Sequence, residues 1–310
     1  MNNITIVTYH YVREISGSNY PNIKGLEFSG FKRQLDYLEK NFNIIKPLDL
    51  INNSFSLPEN SCLLTFDDGL KDHIKYVLPE LNKRKIKGCF FPPGAPIEER
   101  RALDVHLIHF ILEKTKNKKS LVSSLNSLLL KKGYLEKDLK IYWDKYSPAT
   151  LDGQRMRFDP SEIIYFKRML QKVLPFKLRN NLTEKIFKNV CDSPVKDFAK
   201  ELYMNKNDIK DLLADGMYVG CHTYNHYWLN TLTLEEQRKE LDTSLEFLKN
   251  IGVETDKWIM CYPYGAYNSD TISLLKEKNC SFAVTTKPGI ANLKENHFEL
   301  PRKDTNDFPQ

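Results

Sequence analysis

The sequence predicts an α/β protein, an irregular (β/α)7-type barrel interrupted by a helical insertion. Two regions, residues 1–96 and 203–310, alternate short apolar runs with amphipathic stretches of helical period. That is the pattern of parallel strands joined by crossover helices. Between them, residues 97–202 show helical period and no convincing strand. The third observation is positional. Residues able to carry chemistry fall where strands stop, at Asp67-Asp68-Gly69, at His222 and at Pro263-Tyr264-Gly265. Parallel α/β sheets and barrels build their sites at that end.

The elements follow in order. Ile4–Tyr9 is rich in β-branched residues and reads as a strand ending at His10, followed by a loop to Glu27. Phe31, Gln34, Leu35 and Leu38 mark an amphipathic helix with Ser29 as its expected cap. Cys62–Phe66 is a short buried strand, and Ile74, Val77, Leu78 and Leu81 recur at helical spacing behind it. Cys89–Phe91 is a strand stopped by Pro92-Pro93-Gly94. In the insertion, helices are expected over 103–112, 121–130, 163–173 and 182–190. Alternation resumes with a short helix that Gly216 ends and a strand, Met217–Cys221, running into His222. Thr233 and Glu236 form a capping box for the helix 234–248. Trp258–Tyr262 and Phe282–Thr285 read as strands around a helix over 270–278, and Leu300-Pro301-Arg302 reads as the start of a polar tail. About seven strands result, which favours a barrel over an open sheet, although periodicity alone does not separate the two.

Composition sets bounds. With 310 residues, 41% hydrophobic and 28% charged, the chain has the make-up of a soluble globular protein. A formal net charge of +6 is mild, and the basic residues scatter apart from Arg100-Arg101 and the Lys114–Lys119 run. Those read as solvated faces, so no nucleic-acid partner is expected, while an anionic small substrate is compatible. The first residues lack a basic n-region and a long apolar run, and no stretch approaches the ~18 apolar residues of a transmembrane segment. The six cysteines fall singly with no Cys-x-x-Cys pair, so they read as reduced core residues and the cytoplasm as the compartment.

Alone, Asp67-Asp68-Gly69 is equally a turn with a helix cap. His222-Thr223-Tyr224-Asn225-His226 adds a second feature at a strand end. Two imidazoles four residues apart meet on one side if the turn continues into a helix, and imidazole is a common metal ligand. A carboxylate from another strand end, Asp67 or Asp68, would complete a His2Asp site with open positions.

Thr65-Phe66-Asp67-Asp68-Gly69, then His222-Thr223-x-x-His226, then a strand entering Pro263-Tyr264-Gly265 resembles the polysaccharide deacetylases, the NodB-homology or carbohydrate esterase family 4 group. The resemblance covers residues 1–96 and 203–302. Tyr9-His10-Tyr11-Val12 and Leu300-Pro301-Arg302 look like the branch that acts on other surface glycans. The resemblance implies that Asp68, His222 and His226 hold a divalent metal, with zinc the first choice, and that Asp67 is the general base. It also implies a backbone N–H at Tyr264, after Pro263, for the oxyanion. The implied reaction removes the N-acetyl group of an amino sugar, as an oligosaccharide or a nucleotide- or lipid-linked precursor.

Two positions depart from the family pattern. The arginine expected before Pro-Tyr is Cys261, and the histidine expected two residues after the late leucine is Arg302. His10 is the leading substitute for the missing acid, His297 the next, and His73, His106 and His109 follow. Arg302 is alternatively a partner for Asp67 in place of the absent arginine. A deformylase or O-deacetylase would use the same machinery, and a non-catalytic glycan-binding protein would keep the fold.

Overall fold

Seven parallel strands organise the larger part of the chain: β1 (Asn3–Tyr9), β2 (Ser61–Asp67), β3 (Cys89–Phe91), β4 (Tyr218–Val219), β5 (Trp258–Cys261), β6 (Cys280–Pro288) and β7 (Leu300–Asp304). Their neighbour order is β5–β6–β7–β1–β2–β3–β4, so the sheet curls in sequence order. Beyond β4, Cys221 bridges Met260 of β5. Cys221 N donates to Ile259 O (3.0 Å) and Cys261 N to Cys221 O (2.9 Å). One bridge therefore closes the ring, and the expected irregular barrel is what forms.

The computed structural model describes residues 3–53, 56–151, 154–155 and 159–309. They divide into two compact units, residues 1–17, 25–101 and 199–310 on one side and residues 18–24 and 102–198 on the other.

In the barrel unit, the period of two along each strand separates two apolar layers. Ile4 and Ile6, Leu63, Phe91, Ile259, Phe282, Val284 and Leu300 join in one cluster. Val7 and Tyr9, Leu64 and Phe66, Phe90, Val219 and Met260 belong to another, together with Phe31, Leu35, Leu81, Leu241 and Leu274 of the surrounding helices. The first cluster fills the barrel and the second glues helices to its outside. The expected capping box holds the helix Leu234–Ile251: Glu236 N donates to Thr233 Oγ1 (3.3 Å) and Thr233 N to Glu236 Oε2 (2.8 Å).

Other local expectations need correction. Ser29 lies inside the helix Phe28–Asn41 rather than capping it; Glu27 holds the N-cap position, and its carboxylate accepts from Ile15 N. Leu300-Pro301-Arg302 opens β7, seated between β1 and β6, rather than a tail. The region expected to lack strands contains a two-residue hairpin, Thr150–Leu151 with Gln154–Arg155. Among the described residues the rest of the second unit is mostly helical, with Asp104–Lys114 packed on Phe176–Cys191, Phe110 edge-on to Phe198 and Phe187 tilted against it (ring centroids 4.7 Å in both pairs).

Closure depends on Gly220, just before the bridge. A Cβ there would stand 2.5 Å from the Phe91 ring and 2.7 Å from Ile259 O. Gly220→Ala is expected to destabilise the barrel unit by about 1–3 kcal/mol, read as a lower midpoint of chemical unfolding. Gly17→Ala, with open space around the added methyl, serves as the neutral control.

Candidate active site

Strand parity delivers the central pair. Continuing the inward-facing series of Leu63 on β2 gives Thr65 and Asp67, and continuing Leu300 on β7 gives Arg302. Asp67 and Arg302 are 2% and 3% exposed. Their side chains meet fork to fork, Nη1 to Oδ1 at 2.9 Å and Nη2 to Oδ2 at 2.7 Å. Every remaining donor of the guanidinium is used. Nε donates to Thr285 O (2.8 Å), Nη1 also to Thr65 Oγ1 (3.0 Å), and Nη2 also to Cys261 Sγ (3.4 Å). Thr8 Oγ1 (3.3 Å) and Cys261 Sγ (3.4 Å) donate to Asp67 Oδ2. The geometry of Arg302 is that of a partner for Asp67.

The electrostatics follow from this packing. Burial alone would push Asp67 up, but the charge and hydrogen bonds of Arg302, aided by His10 and His222, hold it well below the usual carboxylate range. Arg302, despite its burial, is held above its usual value by Asp67. Burial raises the Cys261 thiol, so it donates as a neutral S–H.

Asp68 leaves the strand differently. It takes φ +73° and Gly69 φ +62°, two successive left-handed residues that turn the chain sharply. Gly69 is required there twice over, since a Cβ would lie 2.9 Å from Pro92 Cβ. The turn carries Asp68 away from Arg302 and toward the histidines: His222 Nε2 and His226 Nε2 each stand 3.3 Å from Asp68 Oδ1.

The His222–His226 segment is not the helix that the four-residue spacing suggested. It is a loop in which Thr223 (φ +57°) and His226 (φ +58°) are both left-handed, and the rings still lie 4.8 Å apart. Backbone bonds pin it: Ala95 N donates to Tyr224 O (2.8 Å) and His226 N to Thr223 Oγ1 (3.0 Å). Glu240, a buried carboxylate that sequence reasoning missed, accepts from Asn225 N (2.8 Å). No spacing rule flags a helix residue of this kind.

His10 is half-exposed at the mouth, with Nε2 3.8 Å from Asp67 Oδ2 and 4.0 Å from Asp68 Oδ2. Its carbonyl is held by Nε2 of His73 (2.8 Å). Burial lowers the His73 pKa to about 4, so that ring is neutral and donates its Nε2–H. Tyr264 sits in the turn Pro263–Gly265 with φ +58°. Its ring lies 4.7 Å from that of His226 and stacks on Trp228 at 4.3 Å. His297 is turned elsewhere, bonded to Leu293 O (2.7 Å) and packed on Phe282. His106 and His109 belong to the helical unit.

The structure thus gathers Asp67, Asp68, His10, His222, His226, Arg302 and Tyr264 around one barrel mouth. Against known proteins, the profile of the Polysaccharide deacetylase family matches residues 185–283. Over that segment the chain is similar to the polysaccharide deacetylases. The matched segment holds His222, His226 and Pro263-Tyr264, while Asp67, Asp68 and Arg302 lie outside it. YxkH of Bacillus subtilis, provisionally described as a polysaccharide deacetylase, is 27% identical over 107 residues, which is 34% of this chain and only 38% of that relative. Among solved structures, the deacetylase PplD of Streptococcus pyogenes, in complex with acetate, aligns with TM-score 0.58 at 17% identity over 97% of this chain and 92% of that one. IcaB from Ammonifex degensii aligns with TM-score 0.56 at 18% identity, over 97% and 91%. At such identities these structures show a shared fold.

A buried carboxylate loses its charge compensation when Arg302 becomes neutral. Arg302→Met is expected to cost about 3–5 kcal/mol of stability at neutral pH. The sign is set by Asp67. Its folded pKa is depressed, so its stabilisation is fully present above the ordinary carboxylate value and is lost progressively as pH falls from there through the depressed folded value. The gap between wild type and Arg302→Met in unfolding midpoint therefore narrows on acidification through the carboxylate range. Adding Asp67→Asn to the variant recovers part of the loss at neutral pH.

Proposed function

We propose that this chain is a metal-dependent hydrolase that removes the N-acetyl group from an amino sugar. The single observation that carries the reading is that two carboxylates adjacent in sequence face opposite partners. One is locked onto an arginine, and the other is shared by two imidazoles.

The donor set suits a divalent ion. Asp68, His222 and His226 present atoms within 4.8 Å of one another, all on buried side chains. His222 Nδ1 lies 2.7 Å from Cys261 O; a carbonyl only accepts, so Nδ1 carries the hydrogen and Nε2 keeps its lone pair for a ligand bond. Asp67, His222 and Cys261 also fall within 4.8 Å. That set is the poorer one, because Asp67 is saturated by Arg302 and the thiol is protonated. Two nitrogens and one carboxylate with open positions fit zinc.

Held by Asp68, His222 and His226, a divalent ion would supply Lewis acidity that makes water easier to deprotonate and the amide carbonyl more electrophilic. The side chains do the rest. Asp67, ionised, takes a proton from the attacking water. Because Arg302 makes it a weak base, it holds that proton briefly, and His10, 3.8 Å from Oδ2, is the group placed to pass a proton to the leaving amine. The N–H of Tyr264 donates to the oxyanion as the carbonyl becomes tetrahedral. Arg302 fixes the orientation of the base. The stacked rings of Trp228 and Tyr264 offer a flat apolar wall beside His226 for a sugar face. The six unpaired thiols support a reducing compartment, the cytoplasm.

The test combines metal analysis of the purified chain with a mass-spectrometric screen on free, oligomeric and nucleotide-linked N-acetyl amino sugars. The expected outcome is about one divalent ion per chain, acetyl loss from at least one of these substrates, loss of turnover on chelation and recovery on adding zinc. Cleavage of formamides or acetate esters alone would replace the reading with that of a deformylase or O-deacetylase. Absence of bound metal would sink it.

A further inference from the structure

The chain just after the catalytic carboxylates helps line a cavity of about 550 Å³ that the reaction above leaves unused. One wall grows from the residues that follow Asp68. Gly69 O accepts from Met204 N (2.9 Å), Leu70 pairs with Tyr203, and Lys71 lines the space. The facing wall carries Glu98 and Arg100. Glu98 Oε2 accepts from the hydroxyl of Tyr224 (3.2 Å), which sits midway between the two metal-ligand histidines. The cavity is therefore lined by the chain that follows Asp68, and its Glu98 is hydrogen-bonded to the loop that carries His222 and His226.

Its lining is cationic. Lys71, Arg100, Lys200 and Lys206 stand against the single carboxylate Glu98, a lining charge of 4 − 1 = +3. Lys206 is held by Glu98, and Lys71 lies 3.6 Å from Asp208. Among the described residues, Arg100 has no carboxylate within ion-pair distance, and it is exposed. A net positive cavity of substrate size favours an anion. A guanidinium fork with flanking ammonium groups suits phosphate oxygens in particular.

We infer that this cavity binds the phosphate or diphosphate of a carrier-linked amino sugar while the sugar's acetamido group reaches the metal site. The inference rests on the proposed amino-sugar chemistry of the neighbouring site, and it narrows the substrate from neutral oligosaccharides to phosphate-bearing precursors. The shared feature is the diphosphate, whether the carrier is a nucleotide or a lipid.

Calorimetric titration of the full chain as purified, with inorganic pyrophosphate as the probe, tests it. Pyrophosphate also ligates divalent metals, so Asp68→Asn is the control. The double charge reversal Arg100→Glu with Lys200→Glu, on exposed side chains, is expected to weaken binding by at least tenfold, on the order of two lost charge contacts. Asp68→Asn is expected to keep it, and raising the salt concentration weakens it in both wild type and Asp68→Asn. Uridine diphosphate and a short prenyl diphosphate are titrated in parallel, and the tighter of the two names the carrier. Unchanged affinity in the charge-reversed variant, or affinity lost only in Asp68→Asn, overturns the inference. Pyrophosphate binding at Arg100 without turnover of any acetamido sugar would instead remove the proposed function and leave the anion site standing, so the two fail separately.

Discussion

A carboxylate sealed in a barrel mouth stays charged only if a cation shares the space, and the Asp67–Arg302 pair is the constraint around which the rest is arranged. An uncompensated buried charge costs many kcal/mol, and even a paired one must have its remaining hydrogen-bonding capacity met. Here it is met from four strands, through Thr8, Thr65, Thr285 O and Cys261. That requires the last strand to lie next to the first, with Val7 opposite Lys303 and Thr8 opposite Asp304. The sheet's wrap in sequence order and the orientation of Asp67 are one structural fact.

The same pair explains why neighbouring carboxylates differ. Asp67 is the last residue of its strand and keeps the inward direction; Asp68 is the first left-handed residue after it and turns toward His222 and His226. Asp68, Thr223, His226 and Tyr264 are all non-glycine residues at positive φ, each costing on the order of 1–3 kcal/mol. Such strain persists only where surroundings over-determine it. The bonds from Gly94 and Ala95 to the Thr223 and Tyr224 carbonyls, and from Asn225 to Glu240, supply that restraint. The tight hold on Asp67 has a chemical consequence: a base stabilised this strongly as an anion is a poor proton store, which is why a second group at Oδ2, His10, matters to the proposed reaction.

Much of this is legible in the sequence. Apolar runs cut off by Asp-Asp-Gly, Pro-Pro-Gly and Pro-Tyr-Gly mark strand ends, because few residues other than glycine and proline suit such sharp exits. The six barrel strands β1–β6 and the carboxylate and histidine loops follow from such signals. What stayed hidden has physical causes. β7 offers only Leu300 and Arg302 to the interior, and an inward arginine breaks the apolar signal that identifies a strand. The His-x-x-x-His spacing suggested a helix, whereas two left-handed residues bring the rings together by another path. Ser29 had the chemistry of a cap, but Glu27 occupied the position. Glu240 is one acidic residue among several on its helix, and only the folded loop against it gives it a task. Residues 18–24 join the helical unit although they lie far from it in sequence, a placement that periodicity does not encode.

The central claim is that Asp68 holds the metal while Asp67, locked by Arg302, handles the proton. Metal content and acetate release measured side by side in wild type, Asp67→Asn and Asp68→Asn test it most directly. The account predicts that Asp67→Asn retains its metal and loses turnover, and that Asp68→Asn loses both. An Asp67→Asn protein that still turns over, or an Asp68→Asn protein that keeps its metal, would contradict it.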